Sequence, residues 1–481
     1  MQSKISKYLE IAIKAFFIGL LVQFFLQTFI TYKLGWDGKF WNGIWLWKEV
    51  LILIFMGIVG IWIFQSMKNL GTRNFFQKLT TTKVFRFFLF FLWASGISFL
   101  LAIGIQKVGL WTFILSFKYN LLGFLIFLLG VGLVWFSPLK TFNFSKWYQK
   151  VLKRIIYGWF IRWGVIYLIP WLLKFAGYSR NAFEGTLDAN PPAVYLTQIN
   201  HGLVRNQFLF ERPISFGFFL VAFRPLFALG FLRKQSRKSQ ILRTLAFGAL
   251  VFSTLSRAAI GVWLLQSAIL ALLIYWKQAK KLILFVGIPW SLILLAGLWH
   301  FRGIFAREHS NTGHAVLLKE GIKLGMESPF FWRGAGYSGP ASHQICFNAK
   351  ENSRCEKIKE INTEHQITTY GYNPENQYVQ IFMEYGILGL LPWLFCFFWL
   401  LWSGLRVLIP LLSELKKSKK ADQRKISQLF VLFAFWVGML GLALEGLVLH
   451  SFVDRMIVYP MMLLFWLSYG EVESFEEKKT L

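Results

Sequence analysis

Apolar runs of about 20 residues recur along this chain, and each is long enough to cross a hydrocarbon layer ~30 Å thick. One begins at Leu9 and ends at Ile30; another reads "GILGLLPWLFCFFWLLWSGL" from Gly386 to Leu405. A backbone inside lipid must satisfy its own hydrogen bonds, so runs of this length are read as helices. With 56% hydrophobic, 19% aromatic and only 16% charged residues, the chain has too little charge for a soluble domain of its size. The reading is an all-α polytopic membrane protein of about 12 transmembrane helices. They are expected near 9–30, 45–66, 84–105, 118–137, 155–176, 213–232, 240–255, 258–276, 281–299, 378–405, 428–448 and 453–470.

Charge sets the expected orientation. The net charge of +29 comes in short basic runs between spans rather than as a nucleic-acid patch. Lys68, Arg73, Lys78, Lys83 and Arg86 share one face with Lys140, Lys146, Lys150, Lys153 and Arg154. "RKQSRK" (233–238), "KQAKK" (277–281) and "KKSKK" (416–420) fall on that face too. The positive-inside rule makes it cytoplasmic, along with both termini and the acidic tail 471–481. The first run is too long, and lacks a small-residue cleavage site, for a signal peptide.

Two long loops then fall outside: 177–212, within the first nine helices (1–299), and 300–377, ahead of the last three (378–470). Loops that long are usually functional. The second, expected to hold short helices, contains Cys346 and Cys355, which on an oxidising face close a disulfide or else remain thiols. Cys396, inside an apolar run, reads as inert packing. No phosphate-binding glycine loop, dinucleotide fingerprint or metal-spaced Cys/His set is present, so neither cofactor nor metal is expected.

Charged residues gather at the outer ends of spans. Arg257, in "STLSRAAIG", sits at a break between two spans, either snorkelling to the headgroups or aimed at a lipid-borne phosphate. Arg205 and Arg212 arrive as the Pro213 span begins, where Glu211 is a bland partner for Arg212. Arg302, Arg307 and His314 precede a helical pattern over 314–326 with Val316, Leu317, Ile322 and Leu324 as its apolar positions. That helix is expected along the membrane surface. Glu375, in "NPENQYVQIFMEYGILG", is either an N-terminal cap, a job Asn376 can do as well, or a partly desolvated general base. As a base it would deprotonate a hydroxyl attacking a sugar carbon, with arginines stabilising the departing phosphate. Glu445, His450, Asp454 and Arg455 cluster at the last outer turn, as an ion network or an acceptor groove.

"SRAAIG" after a span, "TGHAVLLKEGIKLGMESPFFWRGAG" in the large loop and "ENQYVQIFMEYGILGL" into the next span resemble the bacterial O-antigen ligase and polymerase superfamily. The resemblance covers roughly 200–470 in order and spacing. It implies a metal-independent, inverting, GT-C-like glycosyltransferase of the bacterial cytoplasmic membrane, working on the extracytoplasmic face. The implied donor is a polyprenyl-diphosphate-linked glycan, whose diphosphate is held under the large loop by Arg257, Arg205, Arg212, Arg302, Arg307 and His314. The acceptor is a glycan, lipid or protein, and a chain-length regulator is a further possible partner. By position Arg257 matches the family arginine, Asn376 matches the Asn of an "HN" pair, and Glu384 and Gly386 match the continuation, with Tyr378 in support. Two residues depart from the pattern: Glu375 stands where ligases have histidine, and His314 where many members have arginine. The first departure favours a polymerase of surface-polysaccharide repeat units over a ligase or a protein O-oligosaccharyltransferase. A transporter of an anionic solute is the reading from another class; charges at the rim rather than the midplane weigh against it.

Overall fold

The computed structural model describes residues 8, 11–12, 14–16, 19, 47–81, 83–104, 110–120, 122–123, 125–126, 199–200, 203–204, 213–228, 247–274, 308–327, 334, 336–348, 353–365, 371–417, 436–449, 457–458 and 461–462. Its elements in chain order are α1 (Trp47–Leu70), α2 (Thr72–Thr81), α3 (Lys83–Gly104), α4 (Leu110–Asn120), β1 (Ile199–Asn200), β2 (Leu203–Val204), α5 (Pro213–Ala228), α6 (Arg257–Ile274), α7 (Glu308–Met326), α8 (Gly339–Asn348), α9 (Ser353–Glu364), α10 (Gln377–Lys417) and α11 (Trp436–Gly446). The described protein is thus helical, apart from the antiparallel pair β1–β2, in which Ile199 faces Val204.

Helices α1, α3, α5, α6, α10 and α11 fall on expected spans, whereas α4 begins ahead of the expected start at 118. The amphipathic α2 was not anticipated; Gly71, at φ +82°, turns the chain into it from α1. The expected spans 155–176 and 281–299 lie outside the described residues. Among the described residues one helical stretch, Gln377–Arg406, is long and apolar enough to cross a membrane. Helix α1 leaves Leu53, Ile54, Ile61 and Phe64 more than half exposed, and α10 does the same with Phe395, Phe398 and Ile409. Outward apolar faces of this kind suit contact with hydrocarbon.

The chain forms two compact units. The first comprises Met1–Gln23, Lys39–Lys146 and Gly313–Leu481. Its backbone is the pair α3–α10, where the Phe91 ring meets Tyr385 edge-on with centroids 5.4 Å apart. Helix α10 is broken at Gly386 (φ 61°, ψ −167°), a conformation open to glycine and costly for other residues. A break in an apolar helix frees carbonyls that lipid cannot satisfy. Ser98 of α3 answers one of them, donating its hydroxyl to the Glu384 carbonyl at 2.7 Å.

Beside the start of α10, the large loop builds a small core from Leu324, Tyr337, Ile358, Ile361, Tyr372 and Met383. Helix α7, expected over 314–326, begins six residues earlier, at Glu308. Of its expected apolar positions, Leu324 is buried in this core while Ile322 is 45% exposed. The reason is a glycine face. A Cβ on Gly321 would lie 2.9 Å from Val379 and 3.1 Å from Pro374, and one on Gly325 only 2.5 Å from the Phe382 ring. Helix α7 therefore lies directly on α10, an approach that side chains there would block. Cys346 and Cys355 are joined in a disulfide, with Cα atoms 5.4 Å apart, tying α8 to the first turn of α9.

The second unit, Phe24–Gly38 and Trp147–Thr312, contains α5 and α6. They meet where Gly217 opposes Ala259, and Gln266 donates to the Val221 carbonyl at 3.1 Å.

Candidate active site

The turn 371–376, which delivers the chain into α10, is bonded at nearly every residue. The Tyr372 amide donates to Ser342 Oγ at 3.0 Å, and its carbonyl accepts from the Gly339 amide at 2.8 Å. Its phenol donates to the Leu317 carbonyl of α7. Burial, reinforced by the nearby Glu320 and Tyr337, pushes that phenol well above the usual tyrosine range. Asn373 Oδ1 accepts the Glu375 amide at 3.3 Å, closing an Asx turn that holds Glu375 in the left-handed region (φ 50°).

The cap of α10 is Asn376, not Glu375. Its Oδ1 accepts the amides of Tyr378 and Val379, both at 3.0 Å, the donors that a helix start leaves without acceptors. Its Nδ2 donates to the Leu447 carbonyl just beyond α11 at 2.6 Å. Tyr378 fastens the same two helices by donating its phenol to the Ala443 carbonyl at 2.7 Å. Glu375 is thereby left for another task, and its carboxylate Oε2 meets Nδ1 of His314. The two side chains are 33% (His314) and 30% (Glu375) exposed.

This meeting follows from the packing of α7. His314 precedes Gly321 by seven residues, two helical turns, so both project from one face of α7. Gly321 rests against Pro374 and Val379, which places His314 beyond the start of α10, where Glu375 stands. A position read as a diphosphate contact thus carries an imidazole paired with a carboxylate.

A second polar group lies within the bundle. Glu384 is fully buried; its Oε2 accepts from Ser116 Oγ at 2.9 Å and Asn120 Nδ2 at 2.7 Å, and its Oε1 from Ser338 Oγ at 3.4 Å. Tyr385 joins through its hydroxyl, 2.8 Å from Ser116 Oγ and 3.0 Å from Asn120 Nδ2. Gln380 donates to Asn120 Oδ1 at 3.2 Å. Sequence reasoning missed Ser98, Ser116, Asn120 and Ser338. The available signal was Ser116 and Asn120, one turn apart inside an apolar run, a pattern that in lipid calls for internal partners.

In the second unit, the break before α6 is a capped helix start. Leu255 takes φ 48°, and Ser256 Oγ accepts the Ala259 amide at 3.5 Å. Arg257 therefore occupies the first helical position of α6 and is partly exposed. Arg205, Arg212, Arg302, Arg307, His450, Asp454 and Arg455 lie outside the described residues. Among the described residues no group of three or more His, Cys, Asp or Glu side chains could hold a metal ion.

A family model described as O-antigen ligase matches residues 242–394. Over that segment the chain is similar to the O-antigen ligase family. The match runs from before the capped break at Arg257 to the kinked part of α10, so it takes in His314, Glu375, Asn376 and Glu384. Comparison with curated proteins found no match.

Proposed function

We propose that this protein is a polytopic membrane glycosyltransferase that polymerises lipid-linked oligosaccharide repeat units into a surface polysaccharide. It would have about twelve spans in a GT-C-like arrangement and work at the outer face of the cytoplasmic membrane. The observation that carries the reading is that the segment matching the O-antigen ligase family holds a rigidly mounted, partly exposed carboxylate–imidazole pair at the mouth of an apolar helix.

In the proposed step, an acceptor sugar hydroxyl attacks the anomeric carbon of the donor glycan from the side opposite its diphosphate. The new glycosidic C–O bond forms as the bond to the diphosphate oxygen breaks, which inverts the anomeric centre. The His314–Glu375 pair removes the hydroxyl proton. The electron pair leaves with the diphosphate, whose charge would be met by guanidinium groups: Arg257 first, then Arg205, Arg212, Arg302 and Arg307. No step calls for a redox or nucleotide cofactor.

The second reading, a ligase moving finished glycan to a lipid core or a protein, is favoured by the description of the matching family. Lipid-linked glycans extracted from cells lacking the protein separate the two. Single repeat units accumulate without polymer if the protein is a polymerase. Full-length polymer stranded on its lipid carrier would establish the ligase instead. Unchanged glycans with loss of solute uptake would overturn both. Arg257→Ala, made at normal protein abundance, should reproduce the deletion.

A further inference from the structure

We propose that His314, rather than the carboxylate, is the proton acceptor of this enzyme, and that Glu375 is its positioning partner. The inference rests on the glycosyl-transfer reading above and divides the labour within the pair.

Three observations carry it. The first is which ring nitrogen is engaged. Glu375 Oε2 meets Nδ1, and a carboxylate there holds the ring proton on that nitrogen. With the proton on Nδ1, Nε2 is left as the basic atom. An imidazole oriented at one nitrogen by a carboxylate, with its other nitrogen open, is the arrangement that nucleophile-activating triads use on unrelated folds.

The second is the setting of Glu375. Glu375 is not enclosed by its surroundings. Glu375 is 30% exposed, and one of its oxygens is already committed to the ring. Its backbone is immobilised instead, by the Asx turn from Asn373 and by the dedicated cap at the following residue. A fixed carboxylate with one oxygen against the ring nitrogen is placed to orient the imidazole.

The third is the mounting of His314. It stands on a regular helix, α7, pressed through Gly321 and Gly325 onto α10 and bonded by its Leu317 carbonyl to the Tyr372 phenol. A base must be held close to its productive geometry by rigid elements, and this helix provides that support. At 33% exposure the ring remains open to an incoming hydroxyl.

In the step, the acceptor O–H proton passes to Nε2 as the hydroxyl oxygen bonds to the anomeric carbon and the diphosphate departs with its electron pair. The imidazolium, its second proton still on Nδ1 against Glu375, then releases the Nε2 proton to water.

The test uses the full-length protein in lipid nanodiscs, a purified polyprenyl-diphosphate-linked repeat unit as donor and acceptor, and product chains as readout. His314→Gly should lose about 10²–10⁴-fold in rate and recover on addition of free imidazole. His314→Gln can still donate to Glu375 but cannot take a proton; it should be equally inactive, with its thermal midpoint preserved. Glu375→Gln should lose up to about 10⁴-fold, as when other orienting carboxylates become amides, should not respond to imidazole, and should be restored in part by Glu375→Asp. Substantial activity in His314→Gln, or an inactive His314→Gly that imidazole does not revive, overturns the assignment. A dead Glu375→Gln beside an active His314→Gln would return the base role to the carboxylate. The underlying reading fails separately, when the wild-type chain extends no glycan in the same assay.

Discussion

Asn376→Ala offers a quantitative check on how the pair is mounted. The substitution removes the Oδ1 that accepts two amides at 3.0 Å and the Nδ2 that donates to Leu447 at 2.6 Å. Losing an Asn cap to alanine costs about 1 kcal/mol. Losing a neutral hydrogen bond from a buried side chain adds about 1 kcal/mol. Together, about 2 kcal/mol should be lost from the first turn of α10, roughly a 30-fold rise in local opening at about 1.4 kcal/mol per tenfold. Amide hydrogen exchange resolves this directly, with Tyr378 and Val379 losing protection while the amides of α3 keep theirs. Asn376→Asp retains the cap and loses only the bond to Leu447, so it should show about half the effect in free energy. Because Glu375 is the preceding residue, the alanine variant should also be less active. Exchange at Tyr378 and Val379 unchanged by the alanine substitution would refute the assignment of Asn376 as the cap.

Four further outcomes follow. Gly325→Val should push α7 away from α10, because a Cβ at that position would stand 2.5 Å from the Phe382 ring; a loss of about 1–3 kcal/mol, with activity falling in parallel, is readable by thermal unfolding and the chain-extension assay. Removing the Cys346–Cys355 bridge opens a loop of sequence separation 9 and should destabilise α8–α9 by roughly 2.5–3 kcal/mol, measured as the thermal midpoint of Cys346→Ser plus Cys355→Ser against the oxidised wild type. Glu384→Leu leaves the amide of Asn120 and the hydroxyls of Ser116 and Ser338 without the carboxylate they donate to; the cost should exceed about 3 kcal/mol and lower folded yield in membranes far more than Glu384→Gln does. The raised phenol of Tyr372 contributes stability that is complete below the ordinary tyrosine pKa of ~10 and is lost as pH climbs towards its higher folded value. Alkaline unfolding of the loop should therefore steepen above pH ~10, and Tyr372→Phe should flatten that slope.

Much of the protein was legible one segment at a time. The helices α1, α3, α5, α6, α10 and α11 showed themselves because the length of an apolar run is a local property of the sequence. A resemblance to the superfamily was legible from short motifs around Arg257, His314 and Glu375, and the O-antigen ligase match lies over those same residues. The choice of cap was not legible, because Glu375 and Asn376 are both competent by type; the Asx turn at Asn373 and the carbonyl at Leu447 decided between them.

Residue types and periodicity alone therefore determined a helical, apolar chain with a large polar loop and ionisable groups at the ends of its helices. Only the tertiary structure decided which groups meet. Two glycines on one face of α7 let it lie against α10, and that contact brings His314 to Glu375. The break at Gly386 and the register of α3 and α4 decided that Glu384 is answered by Ser116, Asn120 and the hydroxyl of Ser98. Pairing of this kind depends on the distance between helix axes and on rotation about them, quantities fixed by side chains far apart in the chain and invisible in any local window.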